Sequence, residues 1–493
     1  MPWAGWVQPP TWVYEAISTW FVIGAVYTIA LQLTMAALAV GANLHLRDHR
    51  GTLRPGQLHH LTATNRPPGV SIVVPAHNEG PVIVPTVRAL LASDYRDLEI
   101  VVVDDGSTDD TLAHLVEAFH LAPVAPPPPG LAGLTTATVR GHYLPLGDVR
   151  LRVISKDAGG CKADAVNAGI NAATRPLLLV VDGDGLLDRR AISLAVAAFT
   201  EGGRDVVAAG GTILPINDCA VEGTTVTDAR VPRSFLAACQ LLEYLRAFVI
   251  GRTGLARAGA VTLVSGAFGL FRTGTVRAVG GYTVGHLGED LDITLRLLRH
   301  HRLAHPGSSP RVVQVPEAIL WTEVPATWAV LARQRVRWHR GLVQALQEHA
   351  DLVGRPRWGA IGMVGMPQLV LFELFAPLIQ GAGMLTMILV VALGVFDPVL
   401  GAALVAAVMT AGLVATVTAI WSEERNLRQY LSTRDLLRLL VVAVAEQVVY
   451  LPVTVLWRLK ATFMRGPSVW GEMTRSGFGP AAAPVTAPAP AAP

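Results

Sequence analysis

The sequence predicts an α/β domain placed between helices that cross a membrane. The chain has 493 residues, of which 51% are hydrophobic and 16% are charged, whereas soluble domains carry about 25% charged residues. Long uncharged runs lie near the N-terminus and in the C-terminal third of the chain. Between them, short apolar runs alternate with helical stretches, which is typical of βαβ units and a doubly wound sheet.

A predicted transmembrane helix over residues 17–42 follows a short N-terminal segment, residues 1–16. The run carries no charge and exceeds the roughly 20 residues that cross a bilayer. No charged n-region precedes it and no clean cleavage site ends it, so it indicates an anchor rather than a signal peptide. The arginines that come next are Arg47, Arg50 and Arg54. By the positive-inside rule they place the following linker, residues 43–69, in the cytoplasm.

Residues 70–320 are predicted to form the α/β domain on the cytoplasmic side. Five short runs rich in valine, isoleucine and leucine suit buried parallel strands. These runs are residues 70–74, 99–103, 151–154, 177–181 and 205–209. Residues 108–120 and 163–173 have the pattern of helices. The Pro-rich stretch 123–130 and the residues onward to 147 show no clear period, so we expect a surface insertion without a role in function.

The C-terminal part of the chain is predicted to lie on and in the membrane. Residues 321–360 suit interfacial helices, and residues 361–460 suit two to three membrane helices. Residues 461–493 form a tail whose Ala/Pro-rich end is typical of disorder. The last apolar segment, residues 436–457, has arginines on both sides. A single crossing cannot satisfy the positive-inside rule at both ends, so either this segment is interfacial or re-entrant, or the tail breaks the rule.

Charge and cysteine content argue against several classes of protein. A formal net charge of +3 gives no case for nucleic-acid binding. The cysteines lack the paired short spacing of a zinc site or a disulfide framework, and they fit a reducing compartment. They are Cys161, Cys219 and Cys239.

The pair Asp104-Asp105 follows a predicted strand, at the edge of the sheet where α/β proteins bind ligands. Carboxylates at this place can accept hydrogen bonds from a base or from a ribose hydroxyl. Taken alone, the motif is more typical of an acidic turn in which Ser107 or Thr108 caps the next helix.

Asp182 and Asp184 follow a second predicted strand at the same edge. With a glycine between them, they can place oxygens near a divalent cation, and Mg²⁺ prefers one or two carboxylates plus substrate phosphates. A lone pair of this kind is equally typical of an acidic turn. The preceding loop, residues 156–162, is rich in glycine and leads into a helix, a place where phosphates can approach closely. It holds two of the three lysines in the chain, Lys156 and Lys162.

Glu289 and Asp290 begin a predicted helix. A carboxylate there can deprotonate an acceptor hydroxyl as a general base. Taken alone, the pair is more typical of a structural role, in which acidic residues stabilise the helix N-terminus.

Residues 334–341 form a dense cationic stretch that includes Gln334, Arg337 and Trp338. Arginine forks bind phosphate oxygens, and an indole stacks on the apolar face of a sugar. The same stretch suits an amphipathic helix on anionic lipid, with Trp321 and Trp328 at the headgroup level. The two roles are compatible.

Taken in order, these motifs resemble family 2 of the inverting glycosyltransferases, in its membrane-bound synthase form. The ordered set comprises Pro75-Ala76-His77-Asn78-Glu79, Asp104-Asp105, Lys162 with Asn167, Asp182-Gly183-Asp184, Glu289-Asp290 and Gln334-x-x-Arg337-Trp338. Within the family, the chain is similar to bacterial poly-N-acetylglucosamine synthases. The segment 264–268 and the Gly280-Gly281-Tyr282 turn resemble the acceptor site of those enzymes.

The resemblance implies a GT-A-like nucleotide-sugar-binding fold and a role for each motif. The nucleotide-sugar contacts would be Pro75, Glu79, Asp104, Asp105, Lys162, Asp182, Gln334, Arg337 and Trp338. Asp184, with Asp182, would hold Mg²⁺ or Mn²⁺. Asp290 would be the catalytic general base, with Glu289 beside it. The acceptor contacts would be Ser265, Gly266 and Trp338.

The implied activity is transfer of a sugar from a UDP-sugar, UDP-N-acetylglucosamine or UDP-glucose, to a growing β-linked polysaccharide or a glycolipid acceptor. Such an enzyme crosses the inner (plasma) membrane several times and contacts membrane lipid. Its catalytic domain lies in the cytoplasm, and accessory secretion subunits are possible partners. Polar residues of the C-terminal helices would face a product channel. The candidates are Glu373, Gln380, Glu446 and Gln447.

Two other functions stay open on the sequence. The chain could add one sugar to a lipid carrier without processive extension, although such enzymes often lack the QxxRW element. It could also be an inactive scaffold that binds a nucleotide sugar and regulates a partner, which the intact acidic motifs argue against. The sequence departs from the family pattern at Gly288, where threonine is common, and it lacks the Cys-Gly pair of cellulose synthases.

Overall fold

Strands from most of the α/β domain join one mixed sheet. The computed structural model describes residues 10–52, 67–126, 133–393, 398–427, 429–430, 432–466 and 477. The described strands are β1 (Val70–Ala76), β2 (Leu98–Asp105), β3 (Leu121–Val124), β4 (Val139–Pro145), β5 (Leu151–Lys156), β6 (Leu177–Val181), β7 (Gly185–Leu187), β8 (Val206–Pro215), β9 (Ala220–Glu222), β10 (Thr225–Asp228), β11 (Phe268–Arg272) and β12 (Arg311–Thr322). The main sheet has 10 strands in the order β3-β4-β5-β2-β1-β6-β11-β8-β12-β7, and β9 and β10 form a separate hairpin.

Helices cover both faces of the sheet and continue into the membrane part. Those of the domain are α2 (Gly80–Leu91), α3 (Thr111–Phe119), α4 (Lys162–Ala172), α5 (Ala191–Glu201), α6 (Phe235–Tyr244, continued by Leu245–Arg252 and Thr253–Arg257), α7 (Thr273–Ala278), α8 (Glu289–Ala304) and α9 (Trp328–Glu348). They are flanked by α1 (Thr11–Thr52), α10 (Ile361–Ala392), α11 (Pro398–Asn426) and α12 (Thr433–Phe463). The middle of α6 and of α12 is π-helical.

The parallel strands β5, β2, β1 and β6 form the part of the sheet that the apolar runs predicted. Neighbouring side chains of β1 enter two different cores, because successive residues of a strand point to opposite faces. Ile72 and Val74 pack with Ile83 of α2, whereas Val73 packs with Val166 of α4. Since helices bury both faces, these strands appear in the sequence as continuous apolar runs.

Beyond β6 the sheet departs from the predicted doubly wound pattern. β11 lies antiparallel between β6 and β8, and β7 pairs antiparallel with β12. Apolar periodicity identifies a buried strand but carries no information on its direction. The direction depends on whether the preceding connection crosses the sheet, which the sequence pattern does not reveal.

The prediction of an irregular insertion after α3 is wrong. β3 and β4 pair with each other, and β4 continues the sheet onto β5. The side chains of β4 are exposed or only partly buried, so no buried face marks this strand in the sequence. Residues 127–132 of the predicted Pro-rich loop lie outside the described residues. At the other end of the domain, β12 ends at Thr322, two positions past the predicted boundary.

Four of the described helices are long and apolar enough to cross a membrane: Thr11–Asp48, Ile361–Ala392, Val405–Asn426 and Thr433–Phe463. Three of them lie in the C-terminal part, at the upper end of the predicted number. Helix α1 continues to Thr52, so the predicted linker begins inside a helix. The N-terminal residues 1–9, the linker residues 53–66 and the tail residues 467–476 and 478–493 lie outside the described residues.

Helix α1 crosses the end of α6 at very short distance. A Cβ added at Gly254 would collide with the carbonyl oxygen of Leu38, and one added at Gly41 would lie 3.4 Å from the Gly254 oxygen. An ion pair between Arg257 and Asp48, at 2.7 Å, lies beside the crossing. Small residues allow helix backbones to approach in this way, so the first membrane helix packs directly on the α/β domain.

Replacing Gly254 by alanine is expected to lower the stability of the protein, because the new Cβ has no room beside Leu38. Overpacking of this kind typically costs about 1–3 kcal/mol. Thermal unfolding in detergent measures the change. The control is Gly24→Ala, since nothing lies within 4 Å of a Cβ at Gly24. Equal unfolding temperatures for the two variants would contradict the close crossing.

Candidate active site

The carboxylate pairs predicted at strand ends do lie at one edge of the sheet. β1 and β2 are parallel, with Ala76 opposite Asp104, and β6 runs parallel to β1. The turn after β6 approaches the loop after β1, because a Cβ at Gly183 would lie 3.1 Å from the carbonyl oxygen of Pro75. The fold therefore brings the Pro75–Glu79 loop, the Asp104-Asp105 pair and the Asp182–Asp184 turn together.

Asn78 joins the loop after β1 to the loop after β2. Its backbone is left-handed, with φ of 56°, and its side-chain oxygen accepts hydrogen bonds from the backbone N–H groups of Thr108 (2.8 Å) and Asp109 (3.3 Å). Its own N–H donates to Ser107 Oγ at 3.1 Å. Because α3 begins only at Thr111, the interpretation of Ser107 and Thr108 as helix caps is wrong. They fix the loops of the site instead.

A buried lysine orders the Gly-rich loop against Asp105. Lys156 is fully buried, and its ammonium contacts Asp105 Oδ1, Asp164 Oδ2 (2.6 Å) and the carbonyl oxygen of Asp157 (2.7 Å). Asp105 also accepts the N–H of Gly159 at 2.9 Å. Burial lowers the pKa of Lys156, but the two carboxylates raise it more, so the net pKa lies above its ordinary value. Asp164 could not be identified from the sequence, because it looks like any acidic residue in a first helical turn.

Lys162 connects the turn after β6 to the segment that is predicted to bind the acceptor. Its ammonium forms an ion pair with Asp182 and donates to the carbonyl oxygen of Gly266 at 2.9 Å. The N–H of Gly266 in turn donates to Asp290 Oδ2 at 3.2 Å. Burial lowers the pKa of Lys162, but the charges of Asp182 and Glu289 raise it above its ordinary value. Lys162 is therefore a permanent cation at the centre of the predicted site residues.

Glu289 begins α8 in a buried position, 9% exposed. Burial, and then the charge of Asp290, raise the pKa of Glu289 to about 7, although Lys162 and Arg337 act in the opposite direction. Glu289 therefore titrates near neutral pH, and the fold keeps two adjacent acids and two cations within electrostatic reach of one another.

Gly288, the departure from the family pattern, has a steric reason. A Cβ at Gly288 would lie 3.0 Å from the carbonyl carbon and oxygen of Gly341 on α9, and a Cβ at Gly341 would lie 2.6 Å from the Gly288 nitrogen. A threonine at 288 has no room in this arrangement. The start of α8 and the helix α9, which carries the QxxRW residues, thus touch backbone to backbone.

The turn after β6 carries the oxygens that a divalent cation needs. Asp184 is 5% exposed, and its Oδ2 accepts a hydrogen bond from the Thr322 hydroxyl at 3.0 Å, which fixes the carboxylate. The Asp182 side chain is more open, at 34% exposure. Two carboxylates together with diphosphate oxygens suit Mg²⁺ or Mn²⁺, so the residues present fit the predicted metal.

The predicted QxxRW residues lie on α9. Trp338 is 40% exposed, and the buried guanidinium of Arg335 lies 4.5 Å from the centre of its ring. Arg337 acts on Glu289 through its charge. The side-chain oxygen of Gln334 is buried and has no hydrogen-bond partner among the described residues. Arg335 and Arg337 therefore lie in different surroundings, one in the interior and one near the acidic pair.

Only one of the two tryptophans assigned to the headgroup level is exposed. Trp321 lies in β12 and is buried in the domain core, so that prediction is wrong for Trp321. Trp328, at the start of α9, is 38% exposed and packs against α12. Its ring lies 6.5 Å from that of Tyr450 and 5.8 Å from that of Trp457, measured between centroids.

Asn167 holds the Gly281-Tyr282 turn, which is part of the predicted acceptor site. The Asn167 amide donates to the carbonyl oxygen of Tyr282 at 2.9 Å and accepts the Tyr282 N–H at 2.8 Å. Gly281 next to it has φ of +71°, and a Cβ there would lie 2.5 Å from Asn167 Oδ1. Ser265 and Gly266 form the turn before β11, beside Lys162 and Asp290. Asn167 thus orients the turn at Gly281 and Tyr282.

Models of known protein families match the domain and the helices after it. The model described as Glycosyl transferase family 2 matches residues 71–131, and that described as Glycosyltransferase like family 2 matches residues 135–341. The chain belongs to glycosyltransferase family 2. The mixed sheet of this family 2 chain is GT-A-like, and the two matches include every site motif from Pro75 to Trp338. A model described as Chitin synthase matches residues 275–476.

Curated relatives include poly-β-1,6-N-acetyl-D-glucosamine synthases of Staphylococcus. The Staphylococcus epidermidis protein is 24% identical over 275 residues, which are 55% of this chain and 54% of the relative. The protein of Staphylococcus aureus strain COL is 25% identical over 274 residues, with the same shares covered. The chain thus matches about half the length of these relatives.

Two solved structures resemble this chain in fold at low sequence identity. The mannosyltransferase PcManGT from Pyrobaculum calidifontis, in complex with GDP-Man and Mn²⁺, covers 84% of this chain and 99% of its own at 17% identity, with a TM-score of 0.48. Residues 1–349 of TarS from S. aureus cover 80% of this chain and 93% of their own at 14% identity, with a TM-score of 0.35.

The raised pKa of Glu289 predicts a pH dependence of stability. An acid whose pKa rises from 4.5 to about 7 on folding stabilises the fold fully below pH 4.5, and this contribution is lost as the pH rises through about 7. The loss is at most roughly 3–4 kcal/mol, at about 1.4 kcal/mol per pKa unit. Glu289→Gln removes it, so that variant is expected to be more stable than the wild type at pH 8.

Denaturant unfolding in detergent between pH 4.5 and 8, without added ligand, measures this difference. Glu201→Gln, at the exposed end of α5, is the matched control and should follow the wild type. Parallel stability curves for Glu289→Gln and the wild type would show that folding does not raise the pKa of Glu289.

Proposed function

We propose that this chain is a membrane-bound inverting glycosyltransferase that moves a sugar from a UDP-sugar, UDP-N-acetylglucosamine or UDP-glucose, to a growing β-linked polysaccharide. The observation that carries the proposal is the contact chain from Asp182 through Lys162 and Gly266 to Asp290. It joins the carboxylates suited to a nucleotide diphosphate to a carboxylate suited to general-base work.

The donor would bind at the edge formed by β1, β2 and β6. The Asp105 carboxylate, held by Lys156, would accept hydrogen bonds from the nucleotide. The Pro75–Glu79 loop would close one side of this donor site. A bound Mg²⁺ or Mn²⁺ at Asp184 and Asp182 would neutralise the charge of the diphosphate leaving group. Arginine forks bind phosphate oxygens, and Arg337 on α9 lies near enough to Glu289 for its charge to act there.

Asp290 would accept the proton of the acceptor hydroxyl. The Gly266 N–H binds its Oδ2 and so fixes the direction of the carboxylate. The acceptor oxygen then forms a bond to the anomeric carbon as the bond from that carbon to UDP breaks on the opposite face, which inverts the configuration. Trp338, 40% exposed, is the stacking surface for the acceptor sugar.

The membrane helices support the location proposed for this enzyme. Arg47 and Arg50 lie at the domain-proximal end of α1, and the positive-inside rule assigns that end to the cytoplasm. Nucleotide sugars are cytoplasmic substrates, so we assign the α/β domain to the cytoplasmic face of the inner (plasma) membrane. We also propose accessory secretion subunits as partners of the enzyme.

Transfer of one sugar to a lipid carrier is the second candidate, and the structure favours it less. Trp338 lies on the helix whose first residue, Trp328, packs against the C-terminal membrane helix α12. Because α9 carries the proposed stacking residue and packs against the membrane helix α12, a polymer bound at Trp338 could leave along α12. The named relatives are polysaccharide synthases, and the Chitin synthase match includes both helices.

Supplying membranes that contain the chain with single donors tests the function. UDP-N-acetylglucosamine, UDP-glucose, UDP-glucuronate and UDP-galactose are each given with Mg²⁺ or Mn²⁺, and both UDP release and product size are measured. We expect one donor to give UDP and a high-molecular-weight product, and a chelator to abolish both. A small lipid-extractable product would favour the second candidate, and silence with all four would contradict the proposal.

Asp290→Asn is expected to abolish transfer while UDP binding stays nearly unchanged, because the base acts on the acceptor. General-base catalysis typically contributes about 10²–10⁴-fold, so the turnover should fall at least about 100-fold. The exposed Asp228→Asn, whose partner is Arg230 on the surface, is the control. Wild-type turnover in Asp290→Asn would show that another group is the base.

A further inference from the structure

Helix α12 is bonded to the helix that carries Trp338 through three side chains. Glu243 Oε2, on α6, accepts a hydrogen bond from the Tyr450 hydroxyl at 2.8 Å and forms an ion pair with Arg335 Nη2 at 2.8 Å. Arg335 Nη2 also donates to the Tyr450 oxygen at 3.3 Å. Tyr450 is 1% exposed and Arg335 is 5% exposed, whereas the Glu243 side chain is 36% exposed, so the hydroxyl and the guanidinium are buried and the carboxylate reaches solvent.

A second ion pair joins α6 to α12, about one helical turn away from Glu243 and Tyr450. The Arg246 guanidinium binds both carboxylate oxygens of Glu446, at 2.9 and 2.5 Å, and also donates to Thr416 at 2.8 Å. Residues three or four positions apart share a helix face, so Glu243 and Arg246 form one face of α6, and Glu446 and Tyr450 form the facing side of α12. Glu446, expected to face a channel, is instead fully buried in this contact.

Both partners are π-helical near this contact, over Leu245–Arg252 and Glu446–Tyr450. Such turns occur frequently at functional sites. A buried ion pair adds little stability compared with apolar packing of the same volume, and its best-supported use is to fix a relative orientation. The polar contacts between α6 and α12 are therefore better explained by orientation than by stability.

What the contacts orient is the guanidinium of Arg335. Its centre lies 4.5 Å from the centre of the Trp338 ring, within the range of a cation–π contact. Arg335 is held by Glu243 and Tyr450 and is buried, so it is not available to a diphosphate. Of the two arginines in the motif, Arg335 supports the indole from the protein interior, while Arg337 lies near Glu289.

We propose that Glu243 and Tyr450 are positioning residues for the acceptor: they hold Arg335 against Trp338 and so fix the indole on which the acceptor sugar stacks. The inference rests on the proposed function, since that function assigns Trp338 to the acceptor. It adds that a hydroxyl on a membrane helix sets the affinity of the cytoplasmic site for the growing polymer.

Tyr450→Phe tests the proposal, because it removes the hydroxyl and keeps the ring that packs on Trp328. With UDP-N-acetylglucosamine and short β-linked N-acetylglucosamine oligosaccharides, we expect the acceptor KM to rise roughly three- to tenfold, as for loss of one hydrogen bond of ordinary strength. The mean product length should fall. The donor KM and the kcat at saturating acceptor should stay unchanged, a split that general destabilisation does not produce.

The matched control is Tyr27→Phe, which removes another tyrosine hydroxyl bonded within the membrane part, to the Leu371 carbonyl oxygen at 3.0 Å. It should behave as the wild type. Glu243→Gln should raise the acceptor KM as well, and the double variant Tyr450→Phe/Glu243→Gln should show less than the sum of the single effects, because the two groups act through one contact.

Hydrogen exchange of residues 334–341 gives a second measurement that needs no substrate. These amides should exchange faster in Tyr450→Phe than in the wild type or in Tyr27→Phe. Unchanged exchange, an unchanged acceptor KM, or equal changes in the donor and acceptor KM would each overturn the positioning role. If the wild type transfers no sugar from any donor, the proposed function fails, and the exchange result alone still decides whether Tyr450 orders the helix.

Discussion

The buried ammonium of Lys162 is the interaction on which the candidate site depends. Its charge acts on Asp182, Glu289 and Asp290, three carboxylates that would repel one another strongly where little water reaches them. Because the same ammonium binds the Gly266 carbonyl oxygen, it also fixes the turn before β11 relative to the turn after β6. In the proposed function, the distance between the donor sugar and the general base is thus set by one side chain.

Lysine is rare in this chain, and two of its three copies are buried at this site. The ammonium is a compact charge with three rotatable donors, whereas the guanidinium is a planar fork. Lys156 uses its donors on Asp105, Asp164 and a backbone carbonyl, an arrangement that a planar fork does not match. The choice of lysine in an arginine-rich chain therefore follows from the geometry of the acceptors.

The elements with a strong periodic signal were predictable, and those defined by their neighbours were not. The apolar runs of β1, β2, β5 and β6 identified the parallel centre, and their shared edge predicted that Asp104 and Asp182 lie close together. The edge strand β4 lacks a buried face, so its pattern is invisible in the sequence. The partners of Glu243 and Tyr450 come from distant parts of the chain, and no local pattern marks a residue whose role is decided by what the fold places beside it.

The contact between Gly288 and Gly341 joins two motifs that are more than fifty residues apart in the sequence. The helix that starts with the acidic pair and the helix that carries the tryptophan share one backbone contact, so neither can shift without the other. A larger residue at one position demands a rearrangement at the other. A chimera that takes one of the two motifs from a relative therefore needs the matching residue of the other motif as well.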